Sequence, residues 1–76
     1  MPPITQPTEL KDLLTKKEMI VAKLVAESYS NASIAARLGV KPRTIASHLV
    51  SIFKKLGIKT RVKLATKYLM ECGSNE

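Results

Sequence analysis

The chain has 76 residues, with 13 lysines and arginines against 6 aspartates and glutamates, a formal charge of +7 and 45% hydrophobic residues. Its length excludes a multi-domain protein, and its hydrophobic share excludes a wholly disordered basic tail. Cys72 is the sole cysteine and His48 the sole histidine, so neither an intramolecular disulfide nor a cysteine-based zinc site can be built, no metal or cofactor is expected, and self-association is the remaining support for a small core.

Met1 to Pro7 contains three prolines and no periodic pattern, which predicts a mobile arm. Thr8 is placed to cap one or two turns through Glu9–Leu14. Residues 1–14 are accordingly expected to form a mostly flexible arm, residues 15–72 the folded domain and residues 73–76 a tail. The first firm helix start is Thr15-Lys16-Lys17-Glu18, a capping box in which the threonine side chain accepts from the amide three residues on while the glutamate reaches back. The helix it opens should run to about residue 28, with Val21, Leu24, Val25 and Ser28 on one face and Ile20 at its edge. Met19 to Val25 is interrupted by Lys23 and is too short for a signal core, and no segment approaches the roughly 20 apolar residues of a membrane span. A cytoplasmic location follows as the expectation, with Cys72 a reduced, unremarkable thiol.

Ser30 is positioned to cap a short helix over residues 31–38, whose inner face is Ile34, Ala35 and Leu38. Gly39 closes it cheaply in the left-handed conformation, and Val40 packs back across the turn. Pro42 suits the first position of the next helix, where its missing amide would be an orphan anyway. That helix, residues 42–56, repeats Ile45, Leu49, Ile52, Phe53 and Leu56 as one core stripe. Gly57 stops it, Ile58 anchors the turn, and Thr60 caps a last helix over residues 61–71 with Val62, Ala65 and Leu69, and also Leu64 and Tyr68, as its apolar positions. No segment alternates with period two, so the fold class is all-α: a four-helix bundle.

The charges are unevenly placed. All six carboxylates lie at Glu9, Asp12, Glu18, Glu27, Glu71 and Glu76, whereas Ser28 to Met70 contains none and holds nine basic residues: Arg37, Lys41, Arg43, Lys54, Lys55, Lys59, Arg61, Lys63 and Lys67. Such a surface attracts polyanions, although a solvated basic face is the bland alternative. A short helix, a glycine turn and a longer helix make the pattern of a helix-turn-helix, whose second helix can enter a major groove. The outer face of that helix carries Arg43, Ala46, Ser47, Val50, Ser51 and Lys54. Small side chains in its middle permit close approach to base edges, while Arg43 at one end and Lys54 and Lys55 at the other can reach phosphates. Arg43 could also read guanine, Ser47 several bases, and Ala46 and Val50 thymine methyls.

Four motifs then stand at consistent spacing: Leu14-Thr15-Lys16-Lys17-Glu18, Tyr29-Ser30-Asn31-Ala32-Ser33-Ile34-Ala35, Arg43-Thr44-Ile45-Ala46-Ser47-His48 and Lys55-Leu56-Gly57-Ile58. Over roughly Leu14 to Leu69 the chain resembles the LuxR-type (GerE-like) DNA-binding domain of bacterial transcription regulators. The resemblance implies a third helix that reads the major groove and a fourth that forms a homodimer on an inverted repeat. It implies phosphate contacts for Arg43 and Thr44, groove contacts for Ala46, Ser47 and Val50, and Lys54 or Lys55 near the backbone. Lys41, His48 and Ser51 complete the candidate DNA surface. Ala46 and Val50 depart from the basic or polar residues common there, Ser28 stands for a usual glycine, Ser33 for a usual glutamate, and Ile20 for a polar residue.

Val62, Ala65 and Leu69 admit two uses: the core of one subunit, or a dimer face together with Lys63 and Thr66. Catalysis is not expected, because Ser47 and His48 point about 100° apart on a helix and no acid is near in sequence to orient the imidazole. The leading expectation is a sequence-specific transcription regulator on double-stranded DNA, with RNA polymerase a candidate further partner and no membrane or small-molecule ligand. Its initial methionine favours a self-contained regulator over a fragment. Two rivals remain: a module resembling sigma-factor region 4, and an antagonist that keeps the fold and forms mixed dimers.

Overall fold

Start and stop chemistry sets the architecture. In the computed structural model, which describes residues 10–73, Thr15 is extended, its hydroxyl accepts from the Glu18 amide at 3.1 Å, and the Glu18 carboxylate accepts from the Thr15 amide at 3.0 Å. The arm read over residues 1–9, with its Thr8 cap, and the end of the tail at 74–76 lie outside the described residues, as does the side chain of Cys72. The order of elements is α1 (Leu10–Leu13), α2 (Lys16–Ala26), α3 (Asn31–Leu38), α4 (Pro42–Leu56), α5 (Arg61–Tyr68) and a π-helical turn (Leu69–Gly73). The four expected helices are present, preceded by the one-turn α1, and the described residues contain no strand.

The expected caps form. Ser30 Oγ accepts from the Ser33 amide at 3.1 Å and Thr60 Oγ1 from the Lys63 amide at 3.1 Å, while Pro42 stands in the first turn of α4. Three helices close alike. After α2, α3 and α4 a residue turns left-handed, at Ser28 (φ 73°), Gly39 (φ 72°) and Gly57 (φ 67°), and the next amide donates back across the turn. These bonds run from Tyr29 to the Leu24 carbonyl at 3.0 Å, from Val40 to Ala35 at 3.0 Å and from Ile58 to Phe53 at 3.1 Å. This is the closure glycine makes without a side-chain penalty. Only at Ser28 does an L side chain carry it, and that residue is exposed rather than on the inner face of α2.

The core is built from Val21, Ala22, Leu24 and Val25 of α2, Ile34 and Ala35 of α3, Ile45, Leu49 and Ile52 of α4, and Leu64 of α5. Leu38, Phe53, Leu56 and Tyr68 pack against it half-buried. α3 packs against α4, and α2 bridges α4 and α5.

Two boundaries need correction. Leu10 and Leu14 are buried, with α1 against α2 and α4, so the folded unit begins before Thr15 and its start at residue 15 was set too late. The start of the fold is also tied to its end, because the Leu10 amide donates to Glu71 Oε1 at 2.9 Å and Lys67 pairs with Glu71 at 3.1 Å. At the other end the α-helix stops at Tyr68 instead of residue 71 and continues as the π-helical turn. The inner residue of α5 is Leu64, fully buried, whereas Val62 is 73% and Leu69 47% exposed. Their use in the core of one subunit is thereby overturned: α5 has apolar residues on two faces, and its packing against α2 selects the Leu64 and Tyr68 side.

Candidate nucleic-acid interface

Positions i, i+4, i+7 and i+11 from Ile45 turn inward on α4, so the residues opposite must face solvent. Arg43, Ala46, Ser47, Val50 and Lys54 are exposed, and Val50 is 56% accessible despite being apolar. Lys41, at the N-cap of α4, is exposed too, while Thr44, His48 and Ser51 are half-buried along one flank. Backbone holds the start of this helix: the Thr44 amide donates to the Lys41 carbonyl at 2.9 Å, and the Lys41 side chain makes no cap. α4 and its N-cap carry all ten residues read from the sequence as a DNA surface, small ones in the middle and cations toward both ends, and nine of them have no ion pair among the described residues.

Lys55 is the exception. Its Nζ donates to Glu18 Oε1 at 2.8 Å, on the flank of α4 facing α2, and the Glu18 side chain is 7% exposed. Burial pushes the Glu18 carboxyl up, but the Lys55 hydrogen bond, the Thr15 amide, the Lys55 charge and a Thr15 side-chain bond outweigh it and hold the carboxyl below its ordinary value. Lys55 remains 38% exposed, but its ammonium already has a carboxylate partner within the protein, unlike Lys54 beside it. Sequence spacing gave no sign of this, because the partners stand 37 positions apart.

Other cations of the carboxylate-free stretch are also engaged. Arg37 bonds Tyr29, Arg61 bonds Asn31 and the Tyr29 carbonyl, and Lys67 pairs with Glu71. Among the described residues, only Lys55 and Lys67 are matched by carboxylates; Arg37 and Arg61 bond neutral groups and keep their charge, and Lys41, Arg43 and Lys54 of the reading helix, with Lys59 and Lys63 beyond it, are exposed. On α5, Val62, Lys63 and Thr66 are exposed and Ala65 is half-buried, and with exposed Leu69 at the start of the π-helical turn they form a stripe that the other described residues leave open. Met70, 75% exposed, adds an apolar side chain that helical periodicity from Arg61 did not mark.

A short capped helix, a left-handed glycine turn and a longer helix with an exposed basic face define a helix-turn-helix protein of the nucleic-acid-binding kind. Comparison with known proteins places it further. The family described as "Bacterial regulatory proteins, luxR family" (GerE) matches residues 12–68, and the chain belongs to that family of DNA-binding transcription regulators. It is 49% identical over 51 residues to Rv0890c of Mycobacterium tuberculosis, which bears a provisional name as an HTH-type transcriptional regulator, across 67% of this chain and 6% of that protein. It is 45% identical over 53 residues to the transcriptional regulatory protein YdfI of Bacillus subtilis, covering 70% of this chain and 25% of the relative. With the transcriptional regulatory protein UhpA of Escherichia coli it shares 39% over 57 residues, 75% of this chain and 29% of the relative. The chain thus spans less than a third of the length of each. No solved structure matches it. Among the described residues, no helix is long and apolar enough to cross a membrane.

Proposed function

We propose that this domain binds double-stranded DNA as a homodimer on an inverted repeat, with α4 of each subunit in a major groove and α5 of each against the other. The observation that carries the reading is the two-sidedness of α4: Ile45, Leu49 and Ile52 are sealed in the core while Arg43, Ser47, Val50 and Lys54 are exposed on the opposite side, within a stretch of sequence that has no carboxylate. Lys41, Arg43, Thr44 and Lys54 hold the phosphate rails, with His48 and Ser51 on the flank near one strand. Ala46, Ser47 and Val50 lie against base edges, where direct hydrogen bonding is sparse. Recognition is therefore strongly electrostatic, and two half-sites supply the specificity that one reading helix lacks.

The stripe of Val62, Ala65, Thr66 and Leu69, flanked by Lys63, is the dimer face: half-buried Ala65 permits close approach, and Val62 and Leu69 gain cover that the described residues of one subunit do not give them. The site of action is the bacterial cytoplasm, at the nucleoid, and RNA polymerase is the partner through which an occupied operator alters transcription. Apolar Val50 on the reading face favours one second reading, an antagonist that forms mixed dimers and does not bind DNA.

Selection of bound duplexes from a random pool tests the proposal. Enrichment of a palindrome, with affinity that falls steeply as salt rises, is the expected result. No enrichment together with retained mixed dimerisation supports the antagonist, and a flat salt response removes the phosphate contacts assigned to Lys41, Arg43 and Lys54.

A further inference from the structure

Two arginines of the basic stretch turn onto one short turn of backbone. Arg61 opens α5, and its Nη1 donates to Asn31 Oδ1 at 2.7 Å while its Nη2 donates to the Tyr29 carbonyl at 2.7 Å. Asn31 is the first residue of α3, and Tyr29 immediately precedes the Ser30 cap. From the last turn of α3, Arg37 Nη2 donates to the Tyr29 hydroxyl at 2.7 Å, and the guanidinium carbon lies 4.4 Å from the ring centroid. Tyr29 is therefore held by its carbonyl from α5 and by its phenol from the far end of α3.

The two Arg61 bonds are part-buried and span 30 and 32 positions, so they fix where α5 sits on the start of the helix-turn-helix. A planar guanidinium engages two acceptors at once, whereas an ammonium on a similar stem is a point charge without that fork. α3 in turn packs against α4. α2 already joins α5 to α4, and the Arg61 bonds add a second tie that runs through α3, so a rotation of α5 that kept both bonds would carry the start of the helix-turn-helix with it, while one that broke them would reach the reading helix through α2 alone.

We infer that Arg61 is a positioning residue that transmits the geometry of the α5 dimer to the reading helix and thereby sets the spacing of half-sites the dimer accepts. The inference rests on the proposed homodimer on paired half-sites. Arg61 need not touch DNA to act, because its two acceptors lie within the protein.

The test uses the 76-residue chain on three sets of duplexes: one half-site, the selected inverted repeat, and repeats whose spacer is changed one base pair at a time. Arg61→Ala should bind the single half-site within about twofold of wild type, lose about tenfold on the paired site, and bind altered spacers nearly as well as the selected one. Arg61→Lys should lose spacing preference in the same way, and Asn31→Ala should show a smaller loss in the same direction. Melting by circular dichroism accompanies each variant; should Arg61→Ala not fold, the other two carry the comparison. Equal losses on single and paired sites with spacing preference intact would overturn the inference and leave Arg61 a structural residue. Wild type without preference for paired sites would overturn the homodimer reading and this inference with it.

Discussion

Lys54 and Lys55 are neighbours on α4 with opposite fates, and the contrast separates two regions of the molecule. One step of about 100° around the helix turns Lys55 toward α2, where it meets a buried glutamate, and leaves Lys54 on the exposed face that also carries Arg43, Ser47 and Val50. On the inner flank each charge is matched: Glu18 is capped by the Thr15 amide and held by Lys55. On the outer face Lys41, Arg43 and Lys54 are exposed and the adjoining sequence holds no acid. Net charge therefore overstates what a polyanion meets, and the placement of a cation on its helix decides whether it supports the fold or offers a contact.

The largest effect should come from breaking the inner region. Glu18→Ala removes both the partner of Lys55 and half of the capping box, and should cost about 2 kcal/mol in urea unfolding, the ion pair counting for less than a buried one because Lys55 is 38% exposed. The outer region should respond in the opposite sense. Arg43→Ala with Lys54→Ala should leave stability within about 0.5 kcal/mol, yet weaken duplex binding across sequences and reduce the salt slope by about 2, one for each phosphate contact. Equal effects of both sets on stability and on binding would erase the contrast.

Acid should also act on the inner region. Because the Glu18 carboxyl lies below its ordinary value in the fold, its contribution to stability is fully present above the unfolded-state value, about 4.3 for glutamate, and is lost as pH falls through the lower folded value. In Lys55→Met the carboxyl loses the ammonium that lowers it and keeps its burial and the Thr15 bonds, so its pKa rises relative to wild type and the acid unfolding transition should move to higher pH in a circular-dichroism titration. The smallest effect concerns the turn after α2. Ser28→Gly relieves the left-handed strain that glycine already avoids at Gly39 and Gly57, and should raise stability by about 1 kcal/mol without changing DNA affinity.

What the sequence disclosed follows from the range of the forces involved. The Thr15–Glu18 box, the Ser30 and Thr60 caps and the Gly39 and Gly57 stops act over three to five residues, and each could be read directly. The α4 stripe was legible because Ile45, Leu49 and Ile52 keep helical period without interruption, which in turn exposes Arg43, Ser47, Val50 and Lys54. Where two faces competed, as on α5, periodicity could not choose: Val62 and Leu69 were as eligible as Leu64 until α2 covered one side. Contacts between distant positions gave no local sign. Lys55 with Glu18, Arg61 with Asn31, and the Leu10 amide with Glu71 are set by how whole helices pack, and so the engaged lysine among the DNA candidates and the early start of the fold emerged only in three dimensions.

The most direct test of the outer face as the reading surface is an NMR titration of the labelled domain with the selected duplex. Amide and side-chain signals of Arg43, Ser47, Val50 and Lys54 should shift together and saturate at one half-site per subunit, while those of Glu18 and Lys55 stay in place. Shifts that spare the α4 face and gather elsewhere would contradict it.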